Sequence, residues 1–287
     1  MLPVLMVEGD TLPEVWEKSV LRVWREGVLK PTEYDTAGEP PSREATMILV
    51  IRHPLREPRI HRCFPGALRD LEVYRQEVVD GLHDHWVRSS ETAWTYTYHQ
   101  RLTAWNVDNI PLYMAGETRR CDDQPAWVSK SSTPGPGGIF IDQIAYAMEK
   151  LVQVPHSRRA QAITWNATVD PATDDPPCLQ RIWMTITESD GKKCLNFNNH
   201  WRSRDAFKAA FMNIWALIDW FERIAGEISE KMGKKIELGR YVDMIDSYHI
   251  YGKYSREFEG FVKTVETRSF EDRVWTLAEA KDLGMFD

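Results

Sequence analysis

The sequence predicts an α+β fold in which a mixed, twisted sheet packs against one long central helix. Apolar residues recur at helical spacing over 204–232, which indicates a long, half-buried helix. Two β-branched segments, 182–188 and 193–199, flank the turn sequence Ser-Asp-Gly-Lys and predict a hairpin. Other strand-like and helical segments lie on both sides. We therefore expect a single domain over residues 1–287.

The remaining elements follow from local periodicity and from turn residues. Helices are predicted where apolar residues fall on one face, and Gly81 ends one of them. Loops are predicted where Pro, Gly and charged residues cluster. In chain order, the predicted segments are a helix over 11–26, a loop over 30–44, a strand over 45–51, a helix over 68–80, a loop over 129–138, a helix over 141–152, a strand over 161–169, the hairpin, the long helix, and a strand over 238–247.

The composition of the chain limits the kinds of molecule that we expect it to bind. The chain has 287 residues and a net charge of −7, with no basic run of five or more, so we expect no nucleic-acid partner. An anionic ligand must then be held by individually placed arginines. No apolar run approaches about 18 residues, so no membrane span is expected. The four cysteines form no CxxC pair and the N-terminus lacks a signal sequence, which favours a reducing, cytoplasmic location.

Two patterns in the middle of the chain carry candidate chemistry. Arg158 and Arg159 stand at a strand entry, where two planar guanidinium groups can hold a phosphate, although such a pair alone is more often solvated surface. Pro176 and Pro177 fix an extended approach that leaves Cys178 at the start of the next strand. A thiol becomes a nucleophile when its neighbours favour the thiolate, whereas the tripeptide by itself favours an inert cysteine.

Two further patterns follow in the second half of the chain. Arg202 and Ser203 make an anion site ahead of a helix, or else a solvated arginine beside a capping serine. Asn213 presents a donor and an acceptor that suit a base edge, and a core amide satisfied by protein groups is an equal alternative. His249 and Tyr251 share one face of a strand and can bind a sugar hydroxyl, although polar tips on a half-buried strand are the usual case.

The order of these motifs resembles the thymidylate synthase family. The similarity covers about residues 139–251, and each motif alone is weak whereas the combination is specific. The heptapeptide that begins at Tyr96 (YTYHQRL) resembles the divergent archaeal branch. The motifs that carry the resemblance are Ile141-Asp142-Gln143-Ile144, Arg158-Arg159 with Thr164-Trp165-Asn166, Pro176-Pro177-Cys178, Arg202-Ser203-Arg204-Asp205 with Asn213, and His249-Ile250-Tyr251.

The resemblance implies a homodimer with shared active sites that transfers a one-carbon unit from 5,10-methylenetetrahydrofolate to C5 of dUMP. Its small-molecule partners are therefore a nucleotide and a folate. Cys178 would attack C6 of the pyrimidine and make C5 a carbon nucleophile. The implied nucleotide ligands are Arg202 and Ser203 for the phosphate, Arg158 and Arg159 for the phosphate in the partner subunit, Asn213 for the base edge, and His249 and Tyr251 for the 3′-hydroxyl.

The resemblance also implies catalytic and folate-binding residues. Tyr98 matches the active-site tyrosine of the family. Asp205 would contact the folate pterin, and Trp86 would lie against the folate. The glutamate that transfers protons at the base belongs on the helix before the tyrosine motif. Glu77 and Glu72 both occur there, and Glu77 is our first choice.

The sequence departs from the family pattern at several positions. The usual N-terminal glycine-threonine loop is absent, and Arg43 is our candidate for the phosphate arginine that this loop provides. Leu179 replaces the histidine that follows the cysteine, and Trp201 replaces the glutamine before the Arg-Ser pair. Residues 284–287 lack the apolar ending that closes over the folate, which bears on the final reductive step.

Three alternatives stay open. Attack of water on the same intermediate would make the enzyme a hydroxymethylase of dUMP, dCMP or CMP, although Asn213 favours uracil over cytosine. A non-catalytic nucleotide-binding relative would not need the thiol of Cys178. A metal site at His83-Asp84-His85 lacks a recognisable further ligand, so we expect no metal.

Overall fold

The computed structural model describes residues 1–87, 94–106, 127–130 and 139–283. Within these ranges the strands are β1 (Val4–Gly9), β2 (Val28–Lys30), β3 (Ser42–Ile51), β4 (Ile60–His61), β5 (Trp105–Asn106), β6 (Val128–Lys130), β7 (Ile139–Ile141), β8 (Gln161–Ile163), β9 (Leu179–Ser189), β10 (Lys192–Asp205), β11 (Ile236–Ile250) and β12 (Val274–Trp275). The α-helices are α1 (Leu12–Glu26), α2 (Leu68–Asp80), α3 (Tyr98–Thr103), α4 (Gln143–Gln153), α5 (Ala210–Met232), α6 (Ser255–Thr267) and α7 (Leu277–Asp282).

A seven-stranded sheet forms the centre of the molecule. Its strand order is β1-β3-β11-β10-β9-β8, and β2 also pairs with β3. β1 runs parallel to β3 and β10 runs parallel to β11, whereas the other neighbours are antiparallel. The sheet is therefore mixed. Helix α5 packs against α1, α2, α4 and β11. These features confirm the predicted fold class, an α+β arrangement with a mixed sheet and a long central helix.

The predicted hairpin is confirmed as β9 and β10. The two strands pair in register on either side of a two-residue turn at Asp190 and Gly191. Both turn residues have positive φ, 53° and 74°, which the type I′ turn requires and which Asp-Gly adopts readily. Helix α2 also has the predicted bounds, and Gly81 ends it in the left-handed conformation with φ of 69°.

The long helix begins later than predicted. It starts at Ala210. The prediction began at residue 204, but the first residues of that range continue a strand. Arg204 and Asp205 are the last residues of β10, where they pair with Tyr248 and His249 of β11. Pairing with a neighbouring strand is invisible to local periodicity, and here it decides the conformation. Asp205 is therefore a strand residue and does not lie at the helix start.

The strand predicted over 161–169 is also shorter, because β8 ends at Ile163. Asp170 turns the chain there: its carboxylate accepts a hydrogen bond of 2.6 Å from the backbone N–H of Asn166. The other differences are shifts of element ends: Lys30 ends β2 and Ser42 begins β3 within the predicted loop, α4 begins at Gln143, β11 extends to Ile250, and Ser129 belongs to β6. Residues 131–138 of the predicted loop lie outside the described residues.

β10 and β11 change the face that they bury at the same level of the sheet. On β10 the buried positions are odd-numbered from Phe197 to Trp201, and the next buried residue is Arg204. On β11 they are odd-numbered from Tyr241 to Ile245, and the next is Tyr248. Register shifts occur at these points, between β10 and β9 and between β11 and β3. Such bulges re-aim side chains, and they do so here for 202–205 and 247–249.

A buried ion cluster fastens α1 to the C-terminal part of the chain. Arg273 donates two hydrogen bonds to the carboxylate of Glu17, at 2.7 and 2.8 Å. His61 Nε2 lies 3.0 Å from the same carboxylate. Burial acts to raise the pKa of Glu17, but hydrogen bonds from His61 and Arg273 outweigh it and hold that pKa below its usual value. The pair is thus both desolvated and fully partnered.

Among the described helices, none has the length and apolar character that crossing a membrane requires.

Replacement of Arg273 by Ala is expected to lower the free energy of unfolding by about 3 kcal/mol, because it leaves the charge of Glu17 buried without its main partner. Urea unfolding followed by tryptophan fluorescence measures this change. Arg22→Ala is the matched control, since Arg22 pairs with Glu26 on the exposed face of α1 and its loss should barely move the midpoint. Equal midpoints for the two variants would contradict the structural role of the cluster.

Candidate active site

Cys178 lies directly before β9, as the Pro-Pro-Cys motif predicted, and Arg202 holds the loop that carries it. The guanidinium of Arg202 donates to the carbonyl oxygen of Pro177 at 3.0 Å and to that of Pro176 at 2.5 Å. The backbone N–H of Arg202 donates to the carbonyl oxygen of Cys178 at 2.9 Å. One arginine therefore fixes three consecutive residues of the approach to the thiol.

The electrostatic environment of Cys178 contains opposing contributions. Burial raises the pKa of the Cys178 thiol, and the positive charge of Arg202 acts in the opposite direction. Asp175 raises this pKa and Arg204 lowers it, with smaller effects. The net pKa lies above the usual value, so the thiol is protonated near neutral pH. The two arginines are the groups of the site that favour the thiolate.

Tyr98 lies beside the thiol, at the start of α3. Its hydroxyl accepts a hydrogen bond of 3.3 Å from the backbone N–H of Leu179. Its ring meets the ring of Trp201 edge to face, with centroids 5.9 Å apart. Burial raises the pKa of Tyr98 well above its usual value, and the nearby Cys178 raises it further. Tyr98 therefore stays a neutral hydroxyl within reach of the reactive segment.

A buried polar network supports the site from below, with Asp243 at its centre. The carboxylate of Asp243 pairs with the guanidinium of Arg204, which is only 2% exposed. It also accepts hydrogen bonds from Trp201 Nε1 at 3.0 Å and from the Tyr241 hydroxyl at 3.0 Å. Arg204 stacks on Trp201, with its guanidinium carbon 3.9 Å from the ring centroid. Asn213 joins through its side-chain oxygen, which accepts from Arg204 Nε at 3.3 Å.

His249 and Tyr251 lie together at the end of β11, with ring centroids 4.5 Å apart. His249 Nδ1 is 3.2 Å from the carbonyl oxygen of Ser247, which can only accept, so Nδ1 carries the proton. Burial lowers the pKa of His249, which keeps the ring neutral. Its Nε2 is then a buried acceptor, and among the described residues it has no hydrogen-bond partner.

Asp205 and Tyr251 share an electrostatic neighbourhood with the thiol. The carboxylate of Asp205 accepts hydrogen bonds of 3.0 Å from the backbone N–H groups of Phe207 and Lys208. Burial raises the pKa of Asp205. Burial also raises the pKa of Tyr251 to about 12, with further contributions from Asp205 and Cys178. Ser203 lies between Arg202 and Asp205 along β10, and its side chain is half-buried.

Glu77 and Trp86 both contact His83. Glu77, on α2, accepts a hydrogen bond of 2.9 Å from His83 Nδ1. The His83 ring stacks on Trp86 with centroids 3.9 Å apart. Glu72, the other candidate on this helix, is instead paired with Arg75 at 2.7 Å.

Two side chains of the segment His83-Asp84-His85 are bound by other protein groups. His83 is bound to Glu77, and the Asp84 carboxylate is bound to Thr97 and to His99 Nδ1, the latter at 2.6 Å. Across the described ranges, no group of three or more His, Cys, Asp or Glu side chains is arranged to hold a metal ion. Asp84 instead connects the turn that carries Trp86 to the start of α3.

Three arginines lie apart from the thiol. Arg158 and Arg159 are exposed ahead of β8, and the indole N–H of Trp183 donates to the carbonyl oxygen of Arg158 at 3.1 Å. The guanidinium of Arg43 lies over the ring of Trp24 on α1, 4.7 Å from its centroid. A single chain therefore gathers the cysteine, tyrosine and histidine motifs but leaves the Arg158-Arg159 pair on its surface.

Comparison with known proteins identifies the family. The sequence model of the thymidylate synthase family matches residues 72–275. This chain belongs to the thymidylate synthase family. Similar proteins, named provisionally as thymidylate synthases, occur in methanogenic archaea. They include those of Methanothermobacter thermautotrophicus (31% identity over 90% of this chain and 98% of that one), Methanocaldococcus jannaschii (25% over 89% and 94%) and Methanosarcina acetivorans (24% over 91% and 95%).

The predicted resemblance to the divergent archaeal branch is thus confirmed. Thymidylate synthases act on a nucleotide and a folate co-substrate, and membership of the family makes this chain an enzyme of the C5 methyl- or hydroxymethyltransferase type. Sequence reasoning missed Tyr74, whose hydroxyl accepts a hydrogen bond of 2.5 Å from Asn213, and it missed the link through His83. Tyr74 belongs to no motif, and only the packing of α2 against α5 brings it to Asn213.

Replacement of Arg202 by Ala is expected to raise the pKa of Cys178, because it removes the main charge that favours the thiolate. Alkylation by iodoacetamide over a pH series, with the Cys178 peptide quantified by mass spectrometry, measures this as a midpoint at higher pH. The midpoint reports the pKa, whereas the plateau rate reports exposure of the loop. Arg223→Ala, on the exposed face of α5, is the control. Superimposable midpoints for the two variants would exclude this role of Arg202.

Proposed function

We propose that this thymidylate synthase family member transfers a one-carbon unit from 5,10-methylenetetrahydrofolate to C5 of dUMP through a covalent adduct with Cys178. The observation that carries the proposal is the position of Cys178 between the Arg202 clamp and the hydroxyl of Tyr98. A thiolate there attacks C6 of the pyrimidine, and the electron pair moves to C5 and the C4 carbonyl. The folate, when bound, supplies the carbon and the hydride.

The nucleotide is held by the polar groups around this thiol. Arg202 and Ser203 bind the phosphate, and Asn213 binds the base edge. The unpartnered Nε2 of His249 accepts a hydrogen bond from the 3′-hydroxyl of the sugar, and the Tyr251 hydroxyl adds a second contact. The 3′-hydroxyl would thus be the hydrogen-bond donor that the buried Nε2 of His249 lacks. Arg43, stacked on Trp24, would need to leave that ring to reach a phosphate.

An aromatic cavity suits the planar folate. It has a volume of about 500 Å³ and is lined by Trp94 and Trp105 together with residues of the segment that leads to Cys178. The ring of Trp94 meets Trp86 edge to face, with centroids 5.2 Å apart, so the aromatic surface continues to Trp86. Asp205 is the proposed contact of the pterin, and Glu77, bound to His83, is the proposed proton-transfer group.

We also propose a homodimer in which Arg158 and Arg159 serve the site of the partner subunit. The sheet face opposite the core supports this. Its side chains are only half-buried, and the apolar ones among them form a surface that a second copy can cover. Trp183 lies on that face and binds the backbone of Arg158, which places the arginine pair at its edge. The half-buried side chains of this face include the apolar residues Ile48, Val50, Trp183, Val242 and Met244 and the polar residues Arg181, Asn198 and His200.

The packing around Trp201 favours the methyl product over the hydroxymethyl product. Trp201 is buried, and its indole is fixed by Asp243 and covered by Arg204. This packing excludes water from one side of the reacting base, and a dry site directs the intermediate to hydride transfer.

Incubation with dUMP, dCMP and methylenetetrahydrofolate, followed by mass analysis, tests the proposal. Release of dTMP and dihydrofolate is expected, whereas a hydroxymethylated nucleotide would make the enzyme a hydroxymethylase.

Cys178→Ala is expected to abolish turnover, by at least about a thousandfold, while dUMP binding changes little, because the sulfur forms the bond and other groups hold the nucleotide. Product formation and isothermal titration with dUMP measure the two effects separately. Cys194→Ala, on β10, is the control and should keep its activity. Turnover by the Cys178 variant near the wild-type rate would refute covalent catalysis.

Mixed dimers test the shared sites. A chain with Arg158→Ala and Arg159→Ala, combined with a Cys178→Ala chain, should recover up to about half of the wild-type activity of one dimer, because one of its two sites then holds both sets of intact residues. Each variant alone should be inactive or nearly so. Activity is assayed on heterodimers purified through two different affinity tags. No recovery in these heterodimers would show that the arginine pair serves its own chain.

A further inference from the structure

The side-chain amide of Asn213 is held on both sides by protein groups. Its oxygen accepts from Arg204 Nε at 3.3 Å, and its nitrogen donates to the Tyr74 hydroxyl at 2.5 Å. Asn213 is 8% exposed, so these contacts are largely shielded from solvent. An amide has two acceptor positions and two N–H donors. One of each is therefore left over, and these two can meet a base edge.

The two partners of Asn213 constrain it unequally. A guanidinium can only donate, so the amide atom that faces Arg204 has to be the oxygen. A tyrosine hydroxyl donates or accepts equally well, so Tyr74 tolerates either end of the amide. Arg204 itself cannot turn away, because it is paired with Asp243 and stacked on Trp201. The orientation of the amide is thus imposed by one residue.

This orientation matches uracil. The remaining lone pair of Asn213 accepts from N3–H of uracil, and the remaining N–H donates to O4. Cytosine presents an acceptor at N3 and a donor at the 4-amino group, so it would need the amide turned by 180°, with its N–H groups pointing at the guanidinium. A second atom of the guanidinium, Nη2, is buried without a hydrogen-bond partner in the described part of the chain. Surplus donors also favour a carbonyl over an amino group.

We propose that Arg204 is a positioning residue that fixes the amide of Asn213 and thereby makes the site select uracil over cytosine nucleotides. The inference rests on the proposed nucleotide function and adds the residue that determines its base specificity. Loss of one satisfied contact in a buried site corresponds to roughly a tenfold change in affinity. A wild-type preference for dUMP over dCMP of at least about tenfold is therefore expected.

The decisive variant is Arg204→Gln combined with Asp243→Asn, which removes the guanidinium without leaving an unpaired buried charge. The glutamine can face the amide of Asn213 with either its oxygen or its nitrogen, so the amide is free to turn. Titration calorimetry of the full-length protein with dUMP and with dCMP gives the ratio of the two dissociation constants. We expect this ratio to fall about tenfold toward unity. A loss of affinity that is equal for both nucleotides would mean that Arg204 is merely structural and would overturn the inference.

Tyr74→Phe is the matched control. It removes the other partner of Asn213 but keeps the guanidinium, so both affinities should fall while their ratio stays within about twofold of wild type. A ratio that collapses in this variant would transfer the role to Tyr74 and overturn the inference. If circular dichroism shows that the double variant does not fold, Arg204→Lys replaces it. Its single nitrogen keeps the ion pair with Asp243 and gives up the bond to Asn213, and an unchanged ratio would again overturn the inference.

The wild-type measurement separates this inference from the proposed function. Binding of neither nucleotide would overturn both. A wild-type preference for dCMP would leave a nucleotide site in place and overturn the orientation argument. A preference for dUMP that persists in the folded Arg204 variants would leave the proposed function intact and overturn only the role of Arg204.

Discussion

The buried ion pair of Arg204 and Asp243 is the interaction on which the candidate site depends. It joins β10 to β11 just where both strands change their buried face, and its guanidinium also reaches α5 through Asn213. A buried charge pair is stable only while its further hydrogen bonds are made, and here Trp201 and Tyr241 complete those of the Asp243 carboxylate. The pair therefore fixes the relative positions of two strands and one helix, and the motif residues follow from those positions.

The same short segment of β10 also sets the chemistry of the thiol. Arg202 and Arg204 are two residues apart, and both oppose the effect of burial on Cys178. The charge of Arg204 is already neutralised by Asp243, so Arg202 lowers the pKa of Cys178 more than Arg204 does. Arg202 also holds the Pro-Pro-Cys loop in place. Reactivity and backbone position are thus coupled. A change that loosens this clamp alters both the place of the sulfur and its tendency to ionise.

The parts of the fold that were predicted correctly depend on residues close in sequence. The Asp190-Gly191 turn, helix α2 and the place of Cys178 before a strand are all determined by their own neighbours. The errors arose where a distant partner decides. Arg204 and Asp205 looked helical but pair with β11, and strand β1 and helix α6 were not predicted at all. For the same reason the motifs identified Asn213, whereas its partner Tyr74 became apparent only from helix packing.

The sheet connects formation of the candidate site with the proposed association of two chains. A strand that buries one face along its whole length would send Arg202 and Ser203 either into the core or onto the opposite face. The aligned bulges of β10 and β11 give these residues an intermediate, half-buried position at the end of the sheet. Before the bulges, the outward side chains, apolar and polar, form the half-buried face that carries Trp183 and, at its edge, Arg158. Both arginines of the pair are exposed there. The geometry that assembles the cysteine site therefore directs the second pair of arginines outward, which is what a phosphate site shared between subunits requires.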